Sequence, residues 1–328
     1  MIEFCQFGAG RIGAIHAGNI AGHPDARLRV VVDPDRAAAE RLASRYRATI
    51  GGTAEALADP TVQAVVIASS TDTHADLVEA AARAGKAVFC EKPLDLDSRR
   101  AEACVAVARE CSVPLMVGFN RRFDPNFARL ERQIRGGRIG RIELLTITSR
   151  DPAPPPIDYA RRSGGLFRDM MIHDFDMARW LLGEEPVGVF AVASVLVDPT
   201  VGEAGDVDTA VATLRTPSGA LCQISNSRRA AYGYDQRIEA LGSNGALRAE
   251  NVVESTVSFA GANGIVSDKP MAFFLERYAE AYRRELDHFI RAIAVGAAPL
   301  VAGDDGVKAL TLANAALESS RTGRTVTL

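Results

Sequence analysis

The sequence predicts an α/β chain: a doubly wound parallel sheet in its first third, then an α+β domain with a large, mostly antiparallel open sheet. Three observations carry that expectation. Strand-like and helix-like runs alternate regularly over the first 118 residues. A glycine-rich turn follows the first strand. Beyond Phe119 the rhythm gives way to strand-like runs at hairpin spacing, separated by turn signals.

In chain order, IEFCQFG reads as a strand and RIGAIHAGNIA as a helix. RLRVVVD and PDRAAAERLASRY repeat the pair, as do AVVIASS and HADLVEAAARAG, then AVFCEKP and DSRRAEACVAVARECS, before PLMVGF gives a fifth strand. Short Val/Ile-rich runs, apolar on both faces, require helices over both sides of a parallel sheet. Such βαβ repeats bind ligands at the carboxyl ends of their strands. A helix from about residue 123 leads to IELLTITSR and a proline-rich loop, DPAPPPIDY, expected to shape a cleft rim. VGVFAVASVLV (187–197) reads as a buried strand, followed by DTAVATLRT, ALCQISNS, QRIEALGS, GALRAE and ESTVSFA, with TPSG and GSNG as turns. Two helices, near 274–296 and 304–321, close the chain. The expected domains are 1–119 and 120–328.

A chain of 328 residues suits about two domains. Its 47% hydrophobic and 24% charged content is that of a soluble globular protein. A net charge of −3 with scattered arginines argues against nucleic acid or anionic membrane as a partner. No apolar run reaches the roughly 20 residues that span a bilayer. Residues 1–10 read as a strand rather than a cleaved leader, so a cytoplasmic location is expected. The five cysteines lack CxxC spacing and read as inert thiols, and no metal-ligand spacing occurs.

FGAGRIG places Gly8, Gly10 and Gly13 in G-x-G-x-x-G spacing between a strand and a helix. The first glycine permits the tight turn. The second leaves room for a pyrophosphate against helix N-terminal amides, and the third allows close helix–strand packing. Asp33 ends the second strand, where a carboxylate accepts hydrogen bonds from an adenosine ribose. This is a Rossmann dinucleotide site, and the acid favours NAD over NADP, though Arg36 stands close by.

GGLFRDMMIHDFDMARWLLG (164–183) has the spacing of one helix, with Asp169, His173 and Asp176 on one side. Asp174 is expected to be solvated. A histidine near neutral pKa can take up or release a proton at physiological pH. Asp169 would fix its tautomer and stabilise the imidazolium. His16 and His288 read as structural or surface residues. The set Phe273, Phe274, Tyr278 and Tyr282 has helical spacing and should be mostly core.

With FGAGRIG, ASSTDTHADLV, CEKPLDL and DMMIHDFD in this order, essentially the whole chain resembles the Gfo/Idh/MocA oxidoreductase family, and within it the inositol dehydrogenases. The resemblance implies NAD as cofactor and a cyclic polyol, myo-inositol foremost, as substrate. It implies that backbone at Arg11 and Ile12 holds the pyrophosphate, that Ser69, Thr71 and His74 lie along the cofactor, and that Glu91 touches its nicotinamide half. Lys92 matches the family's catalytic lysine, and Asp169 and His173 its acid–histidine pair. Lys92 falls at the end of the fourth strand, where an ammonium would favour a developing alkoxide. GFNRRFD resembles the family's GFxRRYD, so Asn120 and Arg121 are expected to border substrate and cofactor. Asp176, Tyr278 and one of Tyr232 or Tyr234, with Tyr234 preferred, match substrate-side positions.

A zinc alcohol dehydrogenase is excluded by the missing Cys/His set, and a short-chain dehydrogenase by the missing Tyr-x-x-x-Lys. An oxo-sugar reductase or aldose dehydrogenase of the same family is an alternative, because stereochemical preference resides in loops near 120–124, 151–160 and 228–235. A non-catalytic, dinucleotide-responsive regulator is the other alternative, and intact Lys92, Asp169 and His173 stand against it. The second sheet should expose an apolar face, which predicts a homo-oligomer, dimer or tetramer.

Overall fold

The computed structural model describes residues 1–328 and divides into two compact units, Met1–Asn120 with Ala281–Thr311 and Arg121–Glu280 with Leu312–Leu328. The first contains β1 (Ile2–Phe7), α1 (Arg11–Gly22), β2 (Ala26–Val32), α2 (Arg36–Tyr46), β3 (Thr49–Ile50), α3 (Thr53–Ala58), β4 (Ala64–Ile67), α4 (His74–Arg83), β5 (Ala87–Cys90), α5 (Ser98–Glu110) and β6 (Leu115–Val117). The strands form one parallel sheet in the order β3-β2-β1-β4-β5-β6. This is the doubly wound order, reversing between β1 and β4. β4, β5 and β6 are buried at every position, as strands covered on both faces must be. Asp35 and Asp97 cap α2 and α5 by accepting backbone N–H bonds from Ala38 and Arg99. β3 and α3 escaped the sequence reading because two exposed residues carry no periodicity.

The second unit begins with α6 (Pro125–Arg135), β7 (Ile142–Arg150), α7 (Ile157–Ala160) and α8 (Ile172–Leu182). It continues through β8 (Gly188–Ser194), α9 (Pro199–Glu203), β9 (Thr209–Arg215), β10 (Leu221–Ser227), β11 (Asp235–Gly242), β12 (Gly245–Ala249), β13 (Ser258–Gly261), β14 (Gly264–Ser267) and α10 (Phe274–Arg277). The last elements of the chain are α11 (Ala279–Val295), α12 (Gly303–Thr322) and β15 (Val326–Thr327). Seven strands form a sheet in the order β12-β11-β7-β10-β9-β8-β15, antiparallel except for the β7–β10 pair. The expected hairpins form at TPSG and GSNG. ESTVSFA does not join this sheet: β13 pairs with β14 in a separate two-stranded ribbon. The run 187–197 is not buried throughout, since Val189 and Ala191 face inward while Phe190 and Val192 are 40% and 52% exposed. Register sets Leu241, Leu144 and Leu221 abreast on the same outer face, all exposed. No helix is long and apolar enough to cross a membrane.

The expected boundary left both terminal helices in the second domain, whereas 281–311 pack with the first unit. Phe289 of α11 meets Phe4 and Phe89 with ring centroids 6.4 and 5.8 Å away, and Val117 donates its N–H to the Val301 carbonyl at 3.0 Å. An amphipathic stripe on a helix does not reveal which sheet will cover it. The later part of α12 belongs to the second unit, where the Ser319 hydroxyl accepts the Ala191 N–H at 2.9 Å.

α8 is held to its sheet by buried charge. Asp174, expected in solvent, has no exposed surface; it accepts from Arg121 Nη1 at 2.5 Å, Ser149 Oγ at 2.6 Å and Asn226 Nδ2 at 2.8 Å. Asp176 is equally buried and is gripped by Arg122 through Nη2 at 2.5 Å and Nε at 2.9 Å, with Arg179 3.8 Å away. Arg277 pairs with Asp124. Deleting one partner of such a pair strands a charge away from water. Asp176→Asn should therefore lower unfolding free energy by about 3–5 kcal/mol in a denaturant titration. A wild-type midpoint with a raised KM would show that Asp176 serves substrate instead.

Candidate active site

Parallel strands deliver their carboxyl ends to one edge of the first unit's sheet, and the strand order makes β2, β1, β4 and β5 consecutive. The residues immediately after them are Asp33, Gly8–Gly13, Ser69–Thr71 and Glu91–Lys92. The three glycines have separate reasons. Gly8 takes φ +96°, and a Cβ on it would lie 2.4 Å from the Ala68 carbonyl oxygen. On Gly13 a Cβ would lie 2.1 Å from the Gly8 oxygen. On Gly10 a Cβ would meet nothing within 4 Å, and Gly10 caps α1 without any side-chain hydrogen bond. The clearance at Gly10, at the positive end of α1, fits a pyrophosphate approaching the first-turn amides. Asp33 accepts the Ala9 N–H at 2.6 Å and the Asp35 N–H at 2.7 Å, so it also fastens the glycine loop to β2.

Behind this edge two of the expected residues have buried partners of their own. His74 is buried, with Nδ1 2.8 Å from the Pro93 carbonyl and Nε2 3.2 Å from that of Ser69, and it staples the ends of β4 and β5 together. Burial lowers its pKa and keeps it neutral. Glu91 is bound to His16 Nε2 at 2.7 Å, a buried pair that turns its carboxylate inward. His16 is structural, as expected, and packs edge-on against Phe89 and Tyr282. Glu285 on α11, invisible to the sequence reading, has no exposed surface; burial and the Glu91 charge raise its pKa well above the usual carboxylate range. Lys92, Ser69 and Thr71 remain partly exposed. Burial pushes the Cys5 and Cys104 thiols up to about 12, which suits their inert reading.

In the second unit, Asp169 lies not in a regular α-helix but in a π-helical turn, Phe167–Met171, that passes into α8 at Ile172. Such turns recur where a helix must re-aim a side chain at a functional position. Both carboxylate oxygens of Asp169 are held: Tyr159 Oη donates to Oδ1 at 2.8 Å and Arg228 Nη2 to Oδ2 at 3.0 Å. From Asp169 through Arg179 every residue is buried except His173, which is partly accessible. A helix that buries its acids and keeps its one histidine accessible offers that imidazole to a ligand. The proline-rich loop is stapled at both ends, Asp151 to Arg228 at 2.8 Å and Tyr159 to Asp169.

The remaining expected site residues are less available. The Arg121 guanidinium is bonded to Asp174 and Ser149, and its carbon lies 5.8 Å from the Tyr278 ring centroid, a buried arrangement. Asn120 is buried. Asp176 is bound through both oxygens to Arg122. Tyr278 and Tyr234 are 2% and 6% exposed and pack edge-on with centroids 6.0 Å apart, as core aromatics do. Tyr232 is exposed but donates to Asp235 at 2.6 Å and accepts from Arg150 at 2.8 Å. The sequence reading singled out the loops near 151–160 and 228–235 but missed Tyr159, Asp151 and Arg228 within them, because none has a motif spacing to its partner.

Comparisons with known proteins agree with this architecture. A family model described as an oxidoreductase family with NAD-binding Rossmann fold matches residues 2–119, and the GFO/IDH/MocA C-terminal domain matches 127–248. The chain is 52% identical to the inositol 2-dehydrogenase of Rhizobium meliloti, over 100% of this chain and 99% of that protein. It is 49% identical to the myo-inositol 2-dehydrogenase of Thermotoga maritima, over 98% and 97%. The crystal structure of scyllo-inositol dehydrogenase from Lactobacillus casei, with bound NAD(H) and scyllo-inositol, superposes with a TM-score of 0.92 at 30% identity, covering 100% of this chain and 99% of that one. The chain therefore belongs to the Gfo/Idh/MocA oxidoreductase family, an NAD-binding Rossmann domain followed by that family's C-terminal domain.

Proposed function

We propose that this protein is an NAD-dependent dehydrogenase that oxidises a secondary alcohol of a cyclic polyol, with myo-inositol to the 2-keto-inositol as the leading case. The observation that carries the reading is 52% identity, end to end, to an inositol 2-dehydrogenase in a chain that retains Lys92, Asp169 and His173. NAD, when bound, accepts the hydride. The amides of Arg11 and Ile12 hold its pyrophosphate beside Gly10, and Asp33 accepts from its adenosine ribose. Ser69 and Thr71 line its path at the end of β4.

His173 removes the hydroxyl proton as the carbinol is oxidised, and returns it in the reverse direction. Asp169, held by Arg228 and Tyr159, orients the imidazole and stabilises its cationic form. Lys92 donates to the reacting oxygen and favours alkoxide character. The cysteines are all free and four are buried, which suits a reducing cytoplasm. The outer face of the second sheet, with Leu144, Phe190, Val192, Leu221 and Leu241 exposed, suits a homo-oligomer, dimer or tetramer.

The reading is tested by following reduced-nicotinamide absorbance across a panel of inositol stereoisomers, other polyols and aldoses with NAD. Turnover should be highest with an inositol, and His173→Ala should lower it by roughly 10²-fold or more while NAD affinity stays near wild type. No turnover with any inositol, or loss of fold along with activity in that variant, would sink it. Asp33→Ala should weaken NAD binding and narrow the gap between NAD and NADP; an unchanged preference would remove Asp33 from the ribose site. Sedimentation velocity should find a dimer or tetramer, with Leu221→Arg shifting it to a smaller, folded species; a monomeric wild type at micromolar concentration would refute the sheet-face assembly.

A further inference from the structure

We infer that Arg228 is a positioning residue for the reaction: its guanidinium clamps Asp151 and Asp169 together, fixing the carboxylate that backs the His173 imidazole. The inference rests on the assignment of Asp169 and His173 above. Arg228 follows directly on β10, and its backbone N–H is tied to the Asp208 carbonyl at 2.8 Å. Asp208 itself accepts the N–H groups of Leu196, Val197 and Asp198 at 2.8 to 3.0 Å, so the arginine springs from a fixed backbone. The two ends of its fork then diverge, Nη1 to Asp151 Oδ2 at 2.8 Å and Nη2 to Asp169 Oδ2 at 3.0 Å. The side chain is buried, and both bonds are charge-assisted within a region where water screens little.

This geometry does what a single ion pair cannot. Asp169 occupies a π-helical turn, outside the regular ladder of α8, so its orientation is set by its side-chain partners as well as by the helix. The Arg228 fork holds it from one oxygen and Tyr159 from the other. Asp151 opens the proline-rich loop and Tyr159 closes it, so the same guanidinium also fixes the loop against the carboxylate. Burial works to strip the proton from Arg228, but Asp169 and Asp151 outweigh it and raise its pKa, so the cation is permanent. Asp206, half-buried, is a third acid that feels its charge. A lysine keeps the charge but cannot span two carboxylates with fixed planar donors.

The test is a double-mutant cycle on turnover with NAD and an inositol. Arg228→Met should lower kcat about 10²-fold and leave NAD affinity unchanged. Arg228→Lys, which also covers the case in which the methionine variant does not fold, should recover about tenfold of that loss. In an Asp169→Asn background, Arg228→Met should cost less than about threefold, because the clamp acts through a carboxylate already gone. An equal loss in both backgrounds, or a loss confined to KM, would overturn the positioning role. Wild-type turnover by Asp169→Asn alone would instead overturn the acid–imidazole assignment on which the role depends.

Discussion

The second unit depends on one short segment, Asn120–Asp124, in which three consecutive charges are neutralised by residues more than fifty positions away. Arg121 meets Asp174, Arg122 meets Asp176, and Asp124 meets Arg277. All six side chains are buried. Each pair in isolation gives little net stability, since desolvation offsets attraction, but each fixes a register. Two arginines in adjacent positions can satisfy two acids at i and i+2 only if α8 lies at one rotation and one height against β7. With the helix so fixed, His173 is the one residue of its first two turns left accessible.

The first unit uses a different constraint. A parallel sheet places every strand's carboxyl end on the same edge, so loops from distant parts of the sequence meet there, tied by contacts such as Asp33 to Ala9 and His74 to the ends of β4 and β5. Backbone crowding then sorts the glycines. Gly8 and Gly13 are required by neighbouring carbonyls, and Gly10 by the space a ligand would fill. His74 and His16, the histidines nearest this edge, both turn inward, the first to two carbonyls and the second to Glu91.

Much of this was legible in the sequence because it is local. Alternating apolar runs separated by helices announced the parallel sheet, and turn residues such as TPSG and GSNG announced two hairpins. The glycine spacing and Asp33 are likewise short-range signals. What was illegible depends on partners remote in sequence. Asp174 looks like a solvated helix charge, and Asp176 like a substrate-side acid, until Arg121 and Arg122 are seen to pair with them. Tyr234 and Tyr278 look like ligand-facing aromatics until they stack on each other. The helix α11 shows its amphipathic stripe plainly, yet nothing in that stripe says that Phe4 and Phe89 will cover it. The π-helical turn at Asp169 has no sequence signature at all.

The double duty of Asp33 bears on how nucleotide preference is wired into such a chain. Its two oxygens already receive the N–H groups of Ala9 and Asp35, so the same carboxylate that suits a ribose also braces the glycine turn. Redesign toward a phosphorylated dinucleotide therefore has to replace a brace as well as remove a negative charge. A short amide or hydroxyl at that position, which can still accept from Ala9, is a better starting point than a bare methyl group.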